Sequence, residues 1–525
     1  MSDRKIGLTI FLLKDKKLGA FEDELIAPLR ELAIPVAEPL DGFFIPLPAA
    51  NDAAPVWVAP VGSLLAQPIG MDMEAKAPGG LLVLRHSGRT FVVTFGHAWQ
   101  KLDDGWLERD FGLRVALNVI PRKELVEIRA EQVFAKWHLA SERAPRASSV
   151  EEFGVDFDRD LVAVLEGVPS ISPSLGKTIR GSTSLKVNLP ISALANVFDI
   201  ALDRFGSADY KKDWPEMDNI SPLKDEEIIY LLEEQLGIDL GDVNARNKIA
   251  MFTPSQRKGE MFIADSYVYG RLGKNPASSP YLTMEGWINS LARSGLDPSL
   301  EVAKQSHVHA FDDSGGTPRD VSVFDCFGYE YSDGTRVYVL SSGAWYEVSI
   351  DFVQSVTDSI VRVAPPPFAL TAWNRADSEG EYNKACSGNH GFLNCDAKNI
   401  FFGGGRSQLE FCDMLDPNTK TLMFAKIVSK SSGMSHLTEQ VRRTAQLLFS
   451  ADGAYRQKLI KLFATHYPQF DTTWLQTRPR NGDWNFCMVS LGKKADELPF
   501  FAKCGLSRTC KELAEQGHTV SYIDV

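Results

Sequence analysis

LEFCDMLDPNTKTLMFAK, residues 409–426, reads as a strand, a tight turn and a second strand. The turn DPNTKT is made of residues that favour chain reversal, with apolar residues on both sides. Glu410 and Asp413 lie on the first arm, and Lys426 ends the second. Residues two apart on a strand share a face. Phe411 and Asp413 therefore point one way and Glu410 and Cys412 the other, while Phe424 and Lys426 share a face. Asp413 and Lys426 meet across the pair if the register is right. An ordinary surface hairpin often carries such a cross-strand pair, which contributes only a fraction of a kcal/mol. The alternative is the core of a metal-dependent nuclease. There, oxygen ligands hold Mg²⁺ and a cation stands near the attacking water or scissile phosphate.

Two neighbours complete a site of the second kind. Glu381, just upstream, adds a carboxylate to the metal set of Asp413 and Glu410, and Gln440, on a helix just downstream, orients water or phosphate. The order Glu381, Asp413, Lys426, Gln440 resembles exonuclease-like members of the PD-(D/E)xK superfamily. That resemblance implies a restriction-endonuclease-like α/β domain at the C-terminus. The pattern also wants an acid two residues before the lysine, where this chain has Phe424. Glu410 can substitute only if a bulge re-aims it. Residues 420–461 hold eight Lys or Arg against two acids, so a basic patch is expected beside the site. Lys430, Arg442 and Arg443 are its candidate nucleic-acid contacts, although charge runs commonly mean only a solvated helix face.

With 525 residues the chain needs more than one core. Its net charge of −12 argues against an overall basic coat, while leaving room for a local basic groove. Seven cysteines are few for this length and odd in number, which fits a reducing cytoplasm better than a disulfide scaffold. IGLTIFLL (6–13) is stopped at once by KDKK and reads as a buried first strand, not a signal-peptide core. No apolar run is long enough to cross a bilayer. The expected fold class is α+β or mixed α/β: a β-rich domain over 1–140, a mixed domain over 150–364 and the nuclease-like domain over 369–525. GGLLVLRHSGRTFVVTF (79–95) predicts two strands, and Val115, Leu117 and Val119 alternate as in a third. SERAPRASS (141–149) reads as a polar connector. Residues 225–237 and 281–295 predict helices, 261–270 a strand, and 325–348 three strands joined by turns. The proline run APPPF (364–368) marks the last boundary. SHLTEQVRRTAQLLF (435–449) predicts a helix with Ser435 as its N-cap.

Other constellations are less specific. Cys386, His390, Cys395 and Cys412 offer zinc ligands at a spacing unlike common zinc sites. His307 and His309 share a strand face ahead of Asp312 and Asp313. FFGGGR (401–406) lacks the Lys-Ser/Thr of a phosphate loop.

EYN (381–383), the stretch LEFCDML…AK…SSGMSHLTEQ…A (409–445), DFGLRVALN (110–118), WYEV (345–348) and LPFFAK (498–503) form a set. That set resembles a sporadically distributed family of uncharacterised bacterial proteins carrying only a domain-of-unknown-function label. The resemblance spans essentially the whole chain. It implies cargo of mobile elements or defence regions, acting against phages or plasmids. The expected protein is thus a cytoplasmic, defence-associated, Mg²⁺-dependent nuclease acting on DNA or RNA, in contact with a phage component or a second defence protein. The rival expectation is a non-enzymatic binder of nucleic acid or a phage component on a degenerate nuclease fold. A third is a structural subunit of a larger complex.

Overall fold

The computed structural model describes residues 4–47, 79–132, 139–155, 157, 160–252, 256–257, 260–261, 266–270, 279, 282–311, 319–401, 408–428 and 431–525. The chain is mixed α and β with a β-rich N-terminal region. It divides into two compact units, Met1–Tyr329 with Leu340–Glu347, and Glu330–Val339 with Val348–Val525.

The first unit is organised by a ten-stranded sheet of β1 (Ile6–Leu12), β2 (Ile34–Pro35), β3 (Asp41–Leu47), β4 (Gly79–His86), β5 (Arg89–Phe95), β6 (Leu125–Gln132), β7 (Leu139–Ser148), β8 (Asp160–Gly167), β9 (Ile179–Gly181) and β10 (Leu185–Leu189). The order is β2-β3-β4-β5-β1-β10-β9-β8-β6-β7. Strand β1 lies in the middle, antiparallel to both β5 and β10. Its apolar run serves both faces. Leu8, Ile10 and Leu12 join one core, and Phe11 and Leu13 join the other. Strands β4 and β5 divide the same way, with Leu82, Leu84, Phe91 and Val93 on the first face and Leu81, Val83 and Val92 on the second. Ser87 and Gly88, both at positive φ, close their hairpin in the left-handed backbone that a two-residue turn demands.

Two expectations fail in this unit. Residues 111–119 are not a strand but a helix, α1 (Phe111–Val119). The alternation of Val115, Leu117 and Val119 misleads because the helix is buried almost all round, so apolar residues satisfy both periods. It lies directly on the sheet backbone. A Cβ on Gly112 would sit 2.0 Å from the Ser184 carbonyl, and one on Gly181 would sit 2.1 Å from the Gly112 carbonyl. Buried Asn118 ties α1 to α2 (Leu194–Gly206): Nδ2 donates to the carbonyls of Arg114, Arg204 and Ser207, and Oδ1 accepts from the Tyr210 amide.

The supposed connector 141–149 lies mostly within β7. Its charges are cross-strand partners. Arg143 stands opposite Glu127 and pairs with Glu127 at 3.5 Å and Glu166 at 3.3 Å. As an edge strand, β7 tolerates Pro145.

The later expectations in this region fare better. A helix covers Glu226–Gly241, with Asp225 capping it by accepting from the Glu227 and Ile228 amides. It runs past the expected stop at Gly237. Another covers Met284–Arg293. Phe327–Ser332, Val337–Ser341 and Ala344–Val348 are the three strands expected over 325–348. Within 261–270, strands end at Met261 and resume at Ser266–Tyr269, and the residues between lie outside those described.

The second unit holds helices α3 (Ile350–Val361), α4 (Glu379–His390), α5 (Ser431–Leu448), α6 (Ala454–His466) and α7 (Phe500–Glu515). Its strands are β11 (Leu393–Asn394), β12 (Asn399–Phe401), β13 (Gln408–Glu410), β14 (Met414–Asp416), β15 (Thr421–Ile427), β16 (Asn485–Leu491) and β17 (Thr519–Asp524). Five of them form a sheet in the order β11-β14-β15-β16-β17. The first two pairings are antiparallel and the last two parallel. Met423 and Ala425 pack with Tyr382 and Cys386 of α4, while Phe424 faces the other way and stacks on Phe486. Cover on both faces explains why TLMFA is apolar without alternation. The quoted segment is therefore not a surface hairpin: Phe411–Asp416 and Thr421–Ala425 are buried. Helix α5 starts at Ser431, one turn before the expected cap at Ser435. Its residues Leu437, Val441, Ala445 and Leu448 are buried as the pattern predicts.

Candidate metal centre

A break in the first arm of the quoted hairpin builds the site. β13 pairs with β12, placing Glu410 opposite Asn399, whereas β14 pairs with β15 from Met414 onward. Phe411, Cys412 and Asp413 belong to neither ladder. Across this gap the Asp413 amide donates to the Met423 carbonyl at 3.0 Å, and its carboxylate Oδ2 accepts from the Ala425 amide at 2.7 Å. A side chain thus satisfies a backbone donor that an unbroken strand would have satisfied. The Asp413 carbonyl accepts from the amides of Cys395 and Asp396 at 2.8 and 3.0 Å, which draws the 394–398 turn against the break. In that turn Ala397, at φ 57°, donates its amide to Glu410 Oε1 at 3.1 Å.

The result is a group of three carboxylates. Asp396, Glu410 and Asp413 each present an oxygen within 4.8 Å of the others, the one such group among the described residues. Helix α5 braces it. Gln440 Nε2 donates to Glu410 Oε2 at 3.3 Å, and Thr444, one turn on, donates to the Phe411 carbonyl at 2.8 Å. Helix α4 closes another side, since a Cβ on Gly380 would stand 3.1 Å from Asp396 Oδ2. Burial, reinforced by the charges of Glu410 and Asp396, pushes the Asp413 carboxyl up to about 8, against the opposing pull of the Ala425 amide and Lys426. Three convergent oxygens with one held out of water form a donor set suited to a hard divalent cation such as Mg²⁺. A bound cation would offset the burial and repulsion that otherwise favour a proton.

The structure brings Asp413, Glu410 and Gln440 together, and Lys426 acts on Asp413 electrostatically without pairing with it. The Lys426 ammonium sits 2.5 Å from Glu379 Oε2, and Glu379 Oε1 accepts from the Ile427 amide at 3.0 Å. Glu381 is occupied elsewhere. It closes a capping box with Ser378, accepting from the Ser378 amide at 2.8 Å and hydroxyl at 2.7 Å. These bonds, the Ser378 hydroxyl first, hold its carboxyl below the usual range. The helix acid at the site is therefore Glu379, two residues earlier. The S-x-x-E capping signature of Ser378-Glu379-Gly380-Glu381 is the signal that would have assigned Glu381 to the cap. Asp396 was overlooked because it belongs to a turn, not to a strand or helix pattern.

The basic patch is thinner than the sequence suggests. Arg442 pairs with Glu512 at 2.8 Å, and Arg443 lies 3.5 Å from Glu439 on its own helix. Arg456 is buried and donates to the carbonyls of Leu448 and Ser450 at the end of α5. Lys430 lies outside the described residues.

The zinc-type set does not converge. Cys395 and Cys412 are neighbours, but Cys386 packs with Tyr382 and Met423, and His390 stacks on Phe392. All seven cysteines are buried and free of disulfides. His309 is engaged by Asp320 and the Gly270 carbonyl, both at 2.6 Å, while Asp312 and Asp313 lie outside the described residues, as does most of FFGGGR. Among the described residues no helix is long and apolar enough to cross a membrane.

Residues 8–524 fit the model of a family of unknown function, DUF6119, and the chain belongs to that family. No curated protein matches it. No solved structure matches it either.

Proposed function

We propose that the second unit is a divalent-cation-dependent nuclease whose centre is Asp396, Glu410 and Asp413. The carrying observation is the convergence of these three carboxylates on a strand break, with Lys426 acting electrostatically on Asp413 and Gln440 bonded to Glu410. The connectivity supports the same reading. Glu379 on helix α4, Asp413 at the strand break, Lys426 on β15 and Gln440 on α5 keep the order of helix acid, strand Asp, strand Lys and helix Gln of the exonuclease-like proteins the sequence resembles. Mg²⁺ held by the three carboxylates would supply Lewis-acid charge at a phosphodiester. Lys426, held by Glu379, adds positive charge for a phosphate oxygen. Gln440 fixes the Glu410 carboxylate and so its aim. Asp396 takes the part of the acid missing at position 424.

The likeness to cargo of mobile elements and defence regions fits a cytoplasmic enzyme turned against phage or plasmid nucleic acid. Incubation with DNA and RNA substrates under Mg²⁺, Mn²⁺ or EDTA tests the proposal, with Lys426→Ala beside the wild type. Cutting that needs metal and is lost in the variant supports it. Phe424, buried where an acid is expected, favours the second reading, a binder on a degenerate nuclease fold. Salt-sensitive binding that ignores Mg²⁺, with no cleavage under either metal, decides for that reading.

A further inference from the structure

The first unit contains a cavity of about 630 Å³, within the range of small-molecule sites. It is lined by α1 and the segment before it, by residues 208–224 and by the turn at 342–346. Leu113, Leu117, Phe157 and Met217 give it an apolar wall. Its acids are engaged. Asp110 pairs with Lys224 at 3.3 Å and Arg114 at 3.7 Å. Asp218 takes Lys211 at 2.5 Å and the Tyr210 hydroxyl at 2.6 Å, and Glu216 takes Arg122 at 3.0 Å. Asp104 and Asp325 also have partners.

Donors are what remain. Arg109 makes one hydrogen bond, from Nη1 to the Ser342 carbonyl at 3.2 Å, and no carboxylate among the described residues pairs with it. Arg114, stacked over Phe205 and Tyr210 at 5.6 and 5.7 Å, has a buried Nε with no partner. The Ser342 hydroxyl is likewise buried and unbonded. The Arg109 side chain, half-buried in the lining and holding a single hydrogen bond, keeps donors open to the cavity, and guanidinium groups match carboxylate and phosphate oxygens.

We infer that this cavity binds a small organic anion, an aromatic or apolar body bearing one carboxylate or phosphate held by Arg109 and Arg114. The site stands apart from the proposed nuclease chemistry and survives its failure. Calorimetric titration of the full chain with adenosine monophosphate, adenosine and benzoate tests it, using wild type and Arg109→Ala. Binding of either anion without binding of adenosine is expected, weakened roughly tenfold or more in the variant, the worth of a charge-assisted hydrogen bond. Adenosine monophosphate alone identifies a phosphate head, and benzoate alone a carboxylate. Should Arg109→Ala melt early, Arg109→Gln serves in its place, since it removes the charge and keeps most of the side chain's length. Neither anion binding at millimolar concentration, adenosine binding as tightly as its phosphate, or an unchanged affinity in the variant overturns the inference.

Discussion

Helix α1 on its sheet and the carboxylate group beside β15 are both buried, and they are buried for opposite reasons. At Gly112 the backbones of helix and strand touch, with no room for a methyl group. At Asp413 three acids crowd together, one of them nearly out of water, in an arrangement that metal-free folding does not favour. The first region holds the fold at its most compact. In the second, burial first and then the neighbouring acids raise the Asp413 carboxyl to about 8, the kind of perturbation that functional sites tend to carry.

Substitutions should separate the two. Gly112→Val forces a side chain onto the Ser184 carbonyl and should destabilise the protein by about 3 kcal/mol or more in denaturant melts. A wild-type midpoint there would undo the packing half of the contrast. Lys426→Ala comes next, with cleavage falling roughly hundredfold, as when one electrostatic donor is removed. Its melting temperature should stay close to wild type, because a partly exposed pair is lost. Equal loss of activity and of fold would make Lys426 structural.

Asp413→Asn has a smaller effect of unusual sign. The folded carboxyl titrates near 8 against 3.8 for the free group, so between those values the folded protein keeps a proton that the unfolded chain has lost. Metal-free stability therefore falls as pH rises across that window, and the loss is complete above about 8. Asparagine carries no charge yet still offers an oxygen to the Ala425 amide. It should stabilise the metal-free protein at the upper end by on the order of 1 kcal/mol and flatten its pH dependence. A variant less stable than wild type at every pH would show that the repulsion is not there. The smallest effect is expected for Glu381→Gln, which loosens a helix cap, lowers the melting temperature slightly and leaves cleavage and metal binding alone.

Much of this was legible in the sequence where a pattern had one physical meaning. The β4–β5 hairpin, the buried face of α5 and the strands at 327–348 follow from alternation, helical spacing and turn residues. The failures share a cause. Helix α1 is buried almost all round, so strand and helix periods both fit it, and β7 hides its strand because its charges pair across the sheet. Glu410 joins the site only because the strand breaks at 411–413, a break set by side-chain bonding from Asp413 to the neighbouring strand. Spacing along the chain cannot display that. Asp396 enters through a turn held by the Asp413 carbonyl, a contact equally invisible to periodicity.

Binding of a divalent cation at Asp396, Glu410 and Asp413 can be tested without any substrate by Mn²⁺ titration followed by electron paramagnetic resonance. Wild type should take up the ion, Asp413→Asn should bind it far more weakly, and Glu381→Gln should match wild type. Mn²⁺ uptake that is absent in wild type, or unchanged in Asp413→Asn, would contradict the account.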